Sequence, residues 1–146
     1  MLMEVKQEFD RVTSPESMAD ALRAIFAMQH PFDQDKEQFF ALGLNTKHVV
    51  RYIDMISMGT LDASLVHPRE CFRHAVAHGV AAIAFAHNHP SGCTEPSRQD
   101  ITVSRKLIQA GETLGISVVD HLIFSTRSEA HLSLRREHPE LHWSEP

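Results

Sequence analysis

The stretch VAAIAFAHNHPSGCTEPSRQD, residues 80–100, opens with seven small apolar residues and closes with two imidazoles, a Pro/Gly loop, a serine and an acid. An apolar run this short, bounded by Gly79 and by a polar loop, is the pattern of a strand buried on both faces. His87 and His89 are expected just past its C-terminal end. Pro90 and Pro96 exclude regular structure through the loop. Residues 97–114 then read as a helix carrying Ile101, Val103, Leu107, Ile108 and Leu114, ended by Gly115, and residues 116–125 as the next strand.

The polar residues of this stretch have a spacing that can close a metal site. In extended chain, residues i and i+2 point to one side, so His87 and His89 can face one ion. The loop reverses the chain and lets Asp100 approach, giving three ligands and a fourth position for water, as in a catalytic rather than a structural zinc site. A general base is then needed. Glu37, an acid just before an apolar strand, is a candidate. Ser97, three residues before Asp100, can share the pocket and donate to an oxyanion. Both residues also have a local reading: Ser97 as an N-cap, with Asp100 completing a capping-box-like pair.

Working toward the N-terminus, residues 67–79 read as one helix, with Cys71, Phe72, Ala75 and Val76 at helical spacing and Gly79 closing it. Residues 38–44 and 48–57 form a candidate hairpin around Asn45-Thr46-Lys47. Ser14-Pro15-Glu16 supplies a cap, a first-position proline and a first-turn acid for a helix over 15–29. His30-Pro31 breaks it, and residues 33–36 look like a linker into a body that begins near Lys36. The domain reading is thus a helical extension over 1–35, a body over 36–136 and a polar tail over 137–146, which composition suggests is loosely attached.

A chain of 146 residues with 42% hydrophobic content has the size and apolar content of one domain. No apolar run approaches the ~18 residues of a membrane span, and residues 1–10 lack a basic segment followed by an apolar one, so a soluble, cytoplasmic protein is expected. Two cysteines, Cys71 and Cys93, are read as free thiols of a reducing compartment. A net charge of −5, with fourteen Lys and Arg scattered along the chain, argues against nucleic acid as a partner.

Other candidate positions have plainer readings. Cys93 reads as a loop thiol rather than a fourth ligand. Asp120 and His121 alternate along a strand, so at most one faces the pocket, and a hydrogen-bonded structural role is favoured. His74 and His78 stand at i, i+4 but lack the intervening glutamate of a zincin helix and read as surface residues.

His87-x-His89, seven residues, Ser97, two residues and Asp100, with Glu37 upstream, resemble the JAMM (MPN+) signature. The wider text, with Glu37 to Asn45, Ser57-Met58-Gly59-Thr60-Leu61, Val66-His67-Pro68-Arg69-Glu70, His87 to Gly92 and Asp120-His121-Leu122-Ile123, resembles the RadC-like JAB/MPN branch over about residues 36–134. The resemblance implies an α/β fold with a central mixed sheet flanked by helices, the arrangement shared with cytidine deaminases. It implies Zn2+ at His87, His89 and Asp100, Glu37 as general acid/base and Ser97 as oxyanion stabiliser. It further implies cleavage of amide or isopeptide bonds in a peptide or protein substrate, often those joining ubiquitin-like modifiers to lysine. Longer RadC proteins carry an N-terminal helix-hairpin-helix region; with only about 35 residues before the body here, no DNA-directed role tied to that region is expected. Cys93 stands where the branch usually has an acid.

The leading expectation is therefore a zinc metallopeptidase. A non-catalytic JAB-domain adaptor in DNA-associated or mobile-element complexes is the alternative, and a metal-dependent nuclease, suggested by the His-Asn-His spelling, comes third for want of a basic groove.

Overall fold

Two seven-residue strands, β2 (Gln38–Leu44) and β4 (Ala82–Asn88), are buried at every position in a computed structural model that describes residues 2–4, 14–59 and 61–144. Each is covered on both faces. Along β2, Phe40, Leu42 and Leu44 join the first apolar cluster while Phe39 and Ala41 join a second; along β4, Ala82, Ala84 and Ala86 alternate with Ile83 and Phe85 in the same way. A period-2 strand buried on both faces needs a layer on each side, and helices supply both.

The first layer is α1 (Pro15–Ala27), capped reciprocally by Ser14 and Ser17, which buries Met18, Ala19, Leu22, Ile25 and Phe26 against the sheet. A single turn, α2 (Pro31–Gln34), follows where a linker is expected, because the His30 ring accepts from Phe32 N and Pro31 fits the first helical position. The second layer is α5 (Arg98–Leu114), which presents Val103, Leu107 and Ile108 to the opposite face and ends on Gly115 at φ 74°. Two short helices, α3 (Pro68–Cys71) and α4 (Arg73–His78), lie on that same face. They replace the one helix expected over 67–79: Phe72, at φ −103° and ψ −1°, leaves the helical path and drives its ring edge-on against Phe85.

The sheet has six strands in the order β1-β3-β2-β4-β5-β6, with β1 (Leu2–Glu4), β3 (Val50–Met58), β5 (Ser117–Phe124) and β6 (His131–Ser133) completing it. The β2–β3 hairpin forms as expected, turned by Asn45, whose side-chain oxygen accepts from Lys47 N and Val49 N. β4 and β5 are parallel, joined through α5, and the other pairings are antiparallel. The sheet is mixed and flanked by helices, consistent with a JAB/MPN fold. β5 carries an irregularity opposite Ile83 and Ala84, where its partners step from Val118 to Asp120.

The C-terminal segment is tied down rather than loose. After α6 (Leu134–Glu137), a 3-10 turn, Pro139–Leu141, buries Leu141; Ser144 N donates to Val118 O, and Arg135 donates to Ser144 O. Residues 145–146 lie outside the described residues. Among the described residues, no helix is long and apolar enough to cross a membrane.

Candidate metal centre

The alternation of β4 decides where its polar end points. His87 lies two residues past Phe85 and so on the face covered by α5; it is the sixth residue of the strand, within it rather than beyond its end. His89 continues on that side one step after β4 ends. On β2, Phe39 pairs with His87, so Glu37, two residues earlier, stands on the same face beside His89. The loop after His89 turns back through Gly92, whose N–H donates to His89 O, and delivers the chain to the start of α5.

At that start Ser97 and Asp100 form a reciprocal cap: Asp100 N donates to Ser97 Oγ at 3.1 Å, and Ser97 N donates to Asp100 Oδ2 at 2.8 Å. The cap forms, and Asp100 also reaches the imidazoles. Its Oδ1 lies 3.1 Å from His87 Nε2 and its Oδ2 lies 3.0 Å from His89 Nε2. The two imidazole Nε2 atoms are 3.0 Å apart, and Glu37 Oε1 is 3.8 Å from His87 Nε2. One ligand atom from each of Glu37, His87, His89 and Asp100 lies within 4.8 Å of the others.

This donor set fits a metal. Ligands bound to one tetrahedral ion at about 2.0 to 2.1 Å stand about 3.3 Å from each other. The 3.0 Å between the two imidazole nitrogens is close to that value, and Asp100 brings Oδ1 to 3.1 Å from His87 Nε2 and Oδ2 to 3.0 Å from His89 Nε2; two imidazole nitrogens with a carboxylate are a donor class zinc accepts. Glu37 stands further out and is half-buried.

The electrostatics follow from the same contacts. Burial pushes the Asp100 carboxyl up, but its close contacts with the His87 and His89 rings outweigh it and hold the group well below the usual carboxylate range. The bond to Asp100 raises His89, against the opposing effect of burial. A proton or a cation is thus favoured between those rings and the carboxylate.

Sequence reasoning left two further residues outside the site. His121 of β5 faces it: its Nε2 lies 2.7 Å from His87 Nδ1, and its Nδ1 lies 2.6 Å from Ser104 Oγ of α5. Burial, then the nearby His87, hold the His121 ring neutral, well below its ordinary pKa. The irregularity in β5 sets this direction, and simple alternation could not choose between Asp120 and His121. Asp120 turns the other way and accepts from Ser133 Oγ and Arg135 N. Asn88, between the two ligands, faces the α1 layer, where its Oδ1 accepts from Gln38 N at 2.7 Å and its Nδ2 donates to Lys36 O at 3.1 Å. Cys93 is exposed and enters through its backbone, its carbonyl accepting from His89 Nδ1 at 2.7 Å.

Comparison with known proteins identifies the family. A family model described as a RadC-like JAB domain matches residues 12–139. A UPF0758 protein of Desulforamulus reducens is 52% identical over 91 residues, covering 62% of this chain and 40% of that protein. A UPF0758 protein of Methanosarcina acetivorans is 40% identical over 114 residues, covering 77% of this chain and 50% of that protein. The chain thus spans about half the length of these curated relatives, or less. The matched region contains Glu37, His87, His89, Ser97 and Asp100, and the chain belongs to the family of RadC-like JAB domains.

Proposed function

We propose that this chain is a zinc-dependent hydrolase that cleaves an amide or isopeptide bond in a peptide or protein substrate, conjugates of ubiquitin-like modifiers included. The observation that carries this reading is the convergence of His87, His89 and Asp100 with a fourth residue, the acid Glu37, standing just outside them. A structural site closes all four positions with protein ligands; here two imidazoles and one carboxylate stand close together while Glu37 lies further out.

When bound, zinc supplies Lewis acidity, which polarises a carbonyl and brings the pKa of water near ~7. His87, His89 and Asp100 would hold it. Glu37 takes the proton of the attacking water through Oε1, while Leu61 N, donating to Oε2 at 3.3 Å, keeps the carboxylate turned to the site. As the C–N bond breaks, Glu37 returns that proton to the leaving amine. Ser97 is exposed, and its cap uses the hydroxyl oxygen as acceptor; the hydroxyl hydrogen is directed to the carbonyl oxygen as negative charge develops there. Two unpaired cysteines and the absence of clustered positive charge in the sequence support a cytoplasmic protein whose substrate is not nucleic acid.

The test has two parts. Elemental analysis of protein purified without added metal is expected to give about one zinc per chain, and little for the His87→Ala, His89→Ala double variant. Glu37→Gln is expected to keep its zinc while losing cleavage of a panel of peptide and isopeptide-linked substrates that the wild type turns over. Full activity in Glu37→Gln removes the acid/base role.

A further inference from the structure

His87 can bind a cation through Nε2 only if that nitrogen carries a lone pair rather than a hydrogen. Which nitrogen holds the hydrogen is decided by hydrogen bonds that run away from the site, through residues the proposed reaction does not use. Ser104 lies one turn beyond Asp100 on α5. Its hydroxyl is 2.9 Å from Asp100 O, a carbonyl oxygen that can only accept, so Ser104 donates there. With its hydrogen placed, Ser104 Oγ is an acceptor for His121 Nδ1–H at 2.6 Å. A neutral ring with hydrogen on Nδ1 has a bare Nε2, and His121 Nε2 is 2.7 Å from His87 Nδ1. His87 must then donate from Nδ1, which leaves its Nε2 bare toward Asp100 and His89.

His87, Ser104 and His121 are each at most 1% exposed, so water cannot stand in for any member of the chain. His89 is oriented in a similar way, because its Nδ1 faces the Cys93 carbonyl and donates to it, which leaves Nε2 as the nitrogen turned to the site. The reverse polarity, with Ser104 donating to His121, places a hydrogen on His87 Nε2 and closes the site to a cation.

We propose that Ser104 and His121 are positioning residues that fix the tautomer of His87, through the directed chain Asp100 C=O, Ser104, His121, His87, so that its Nε2 lone pair is held ready for the metal. This rests on the metal reading given above, and it extends the requirement for binding from the ligands to two buried residues on α5 and β5. Partners of this kind orient a ligand ring and raise its basicity, and losing one weakens metal affinity by about 10- to 100-fold.

The experiment measures zinc affinity by competition with a chromophoric chelator, and the His87 tautomer by long-range 1H–15N NMR of the metal-free protein. His121→Leu, which fills the space without an acceptor, is expected to bind zinc about 10- to 100-fold more weakly. His121→Gln, whose side-chain oxygen can take the place of Nε2, is expected to recover most of that loss. Ser104→Ala removes little volume and is expected to leave His87 as a mixture of tautomers with intermediate affinity. Wild-type affinity in His121→Leu, or a hydrogen on His87 Nε2 in the metal-free wild type, overturns the proposal. If the wild type shows the expected tautomer but binds no zinc, the metal reading falls and with it the purpose assigned to the chain; zinc bound with the opposite tautomer overturns the relay alone.

Discussion

Replacing Asn88 by alanine separates the two sides of the His-Asn-His triplet, because Asn88 touches neither ligand and instead fastens the start of β2. Two bonds are lost. The Gln38 N–H, which accompanies a fully buried residue, loses its 2.7 Å acceptor, and the Lys36 carbonyl loses its 3.1 Å donor. An orphaned buried donor costs about 1–3 kcal/mol, while the carbonyl belongs to an exposed residue that water can serve, so its loss costs about 0.5–1 kcal/mol. The sum is about 1.5–4 kcal/mol, which for a chain of this size lowers Tm by about 3–16 °C. Glu37 lies between the two fastened residues, so its carboxylate loses its setting while His87 and His89 keep theirs. Urea unfolding of wild type and variant gives the stability difference, and elemental analysis and turnover give the rest. The expected pattern is a lower midpoint, near-normal zinc and reduced kcat. Stability within ~0.5 kcal/mol of wild type, a change ordinary for surface substitutions, refutes the reasoning, as does loss of zinc in proportion to activity.

Three other outcomes follow from particular contacts. Gly111→Ala places a Cβ 2.5 Å from Ile116 O and 2.7 Å from Val118 Cγ2, so despite a helix-propensity gain of about 1 kcal/mol it is expected to destabilise by about 1–3 kcal/mol in thermal unfolding; a higher Tm refutes it. Native protein treated with Ellman's reagent is expected to release one fast equivalent from exposed Cys93, absent in Cys93→Ser, while buried Cys71, its thiol pushed up to about 12 mainly by burial, reacts only on unfolding. The hydrogen bond from Arg136 lowers Glu16 from 4.5 to about 2, so the contribution of this pair is present above pH 4.5 and lost as pH falls toward 2; Glu16→Gln is expected to flatten the stability profile in that window, less so in high salt.

Much of the site was legible because its residues are close in sequence. Residues 80–86 announced a strand buried on both faces, and the spacing of His87, His89, Ser97 and Asp100 survived folding as a single cluster. What pairing is local also came through, as in the hairpin turned by Asn45. The insertion of β2 between β3 and β4 did not, since it depends on contacts between segments about forty residues apart, and the resemblance alone implied a mixed sheet. The orientation of His121 was hidden for a different reason: one irregular step in β5 overrides the alternation from which a side is read. The break at Phe72 was equally silent, because helical spacing continues across it in sequence while the backbone does not.

The shared use of Asp100 has a consequence for how the protein gains and loses its ion. One carboxylate both closes the first turn of α5 and binds in the cluster, so the register of a seventeen-residue helix and the state of the site are mechanically one thing. Fraying of that turn withdraws a ligand, and an occupied cluster clamps the turn. Amide exchange at Asp100 and its neighbours is therefore expected to slow when zinc is added to the metal-free protein, a gauge of occupancy that requires no substrate.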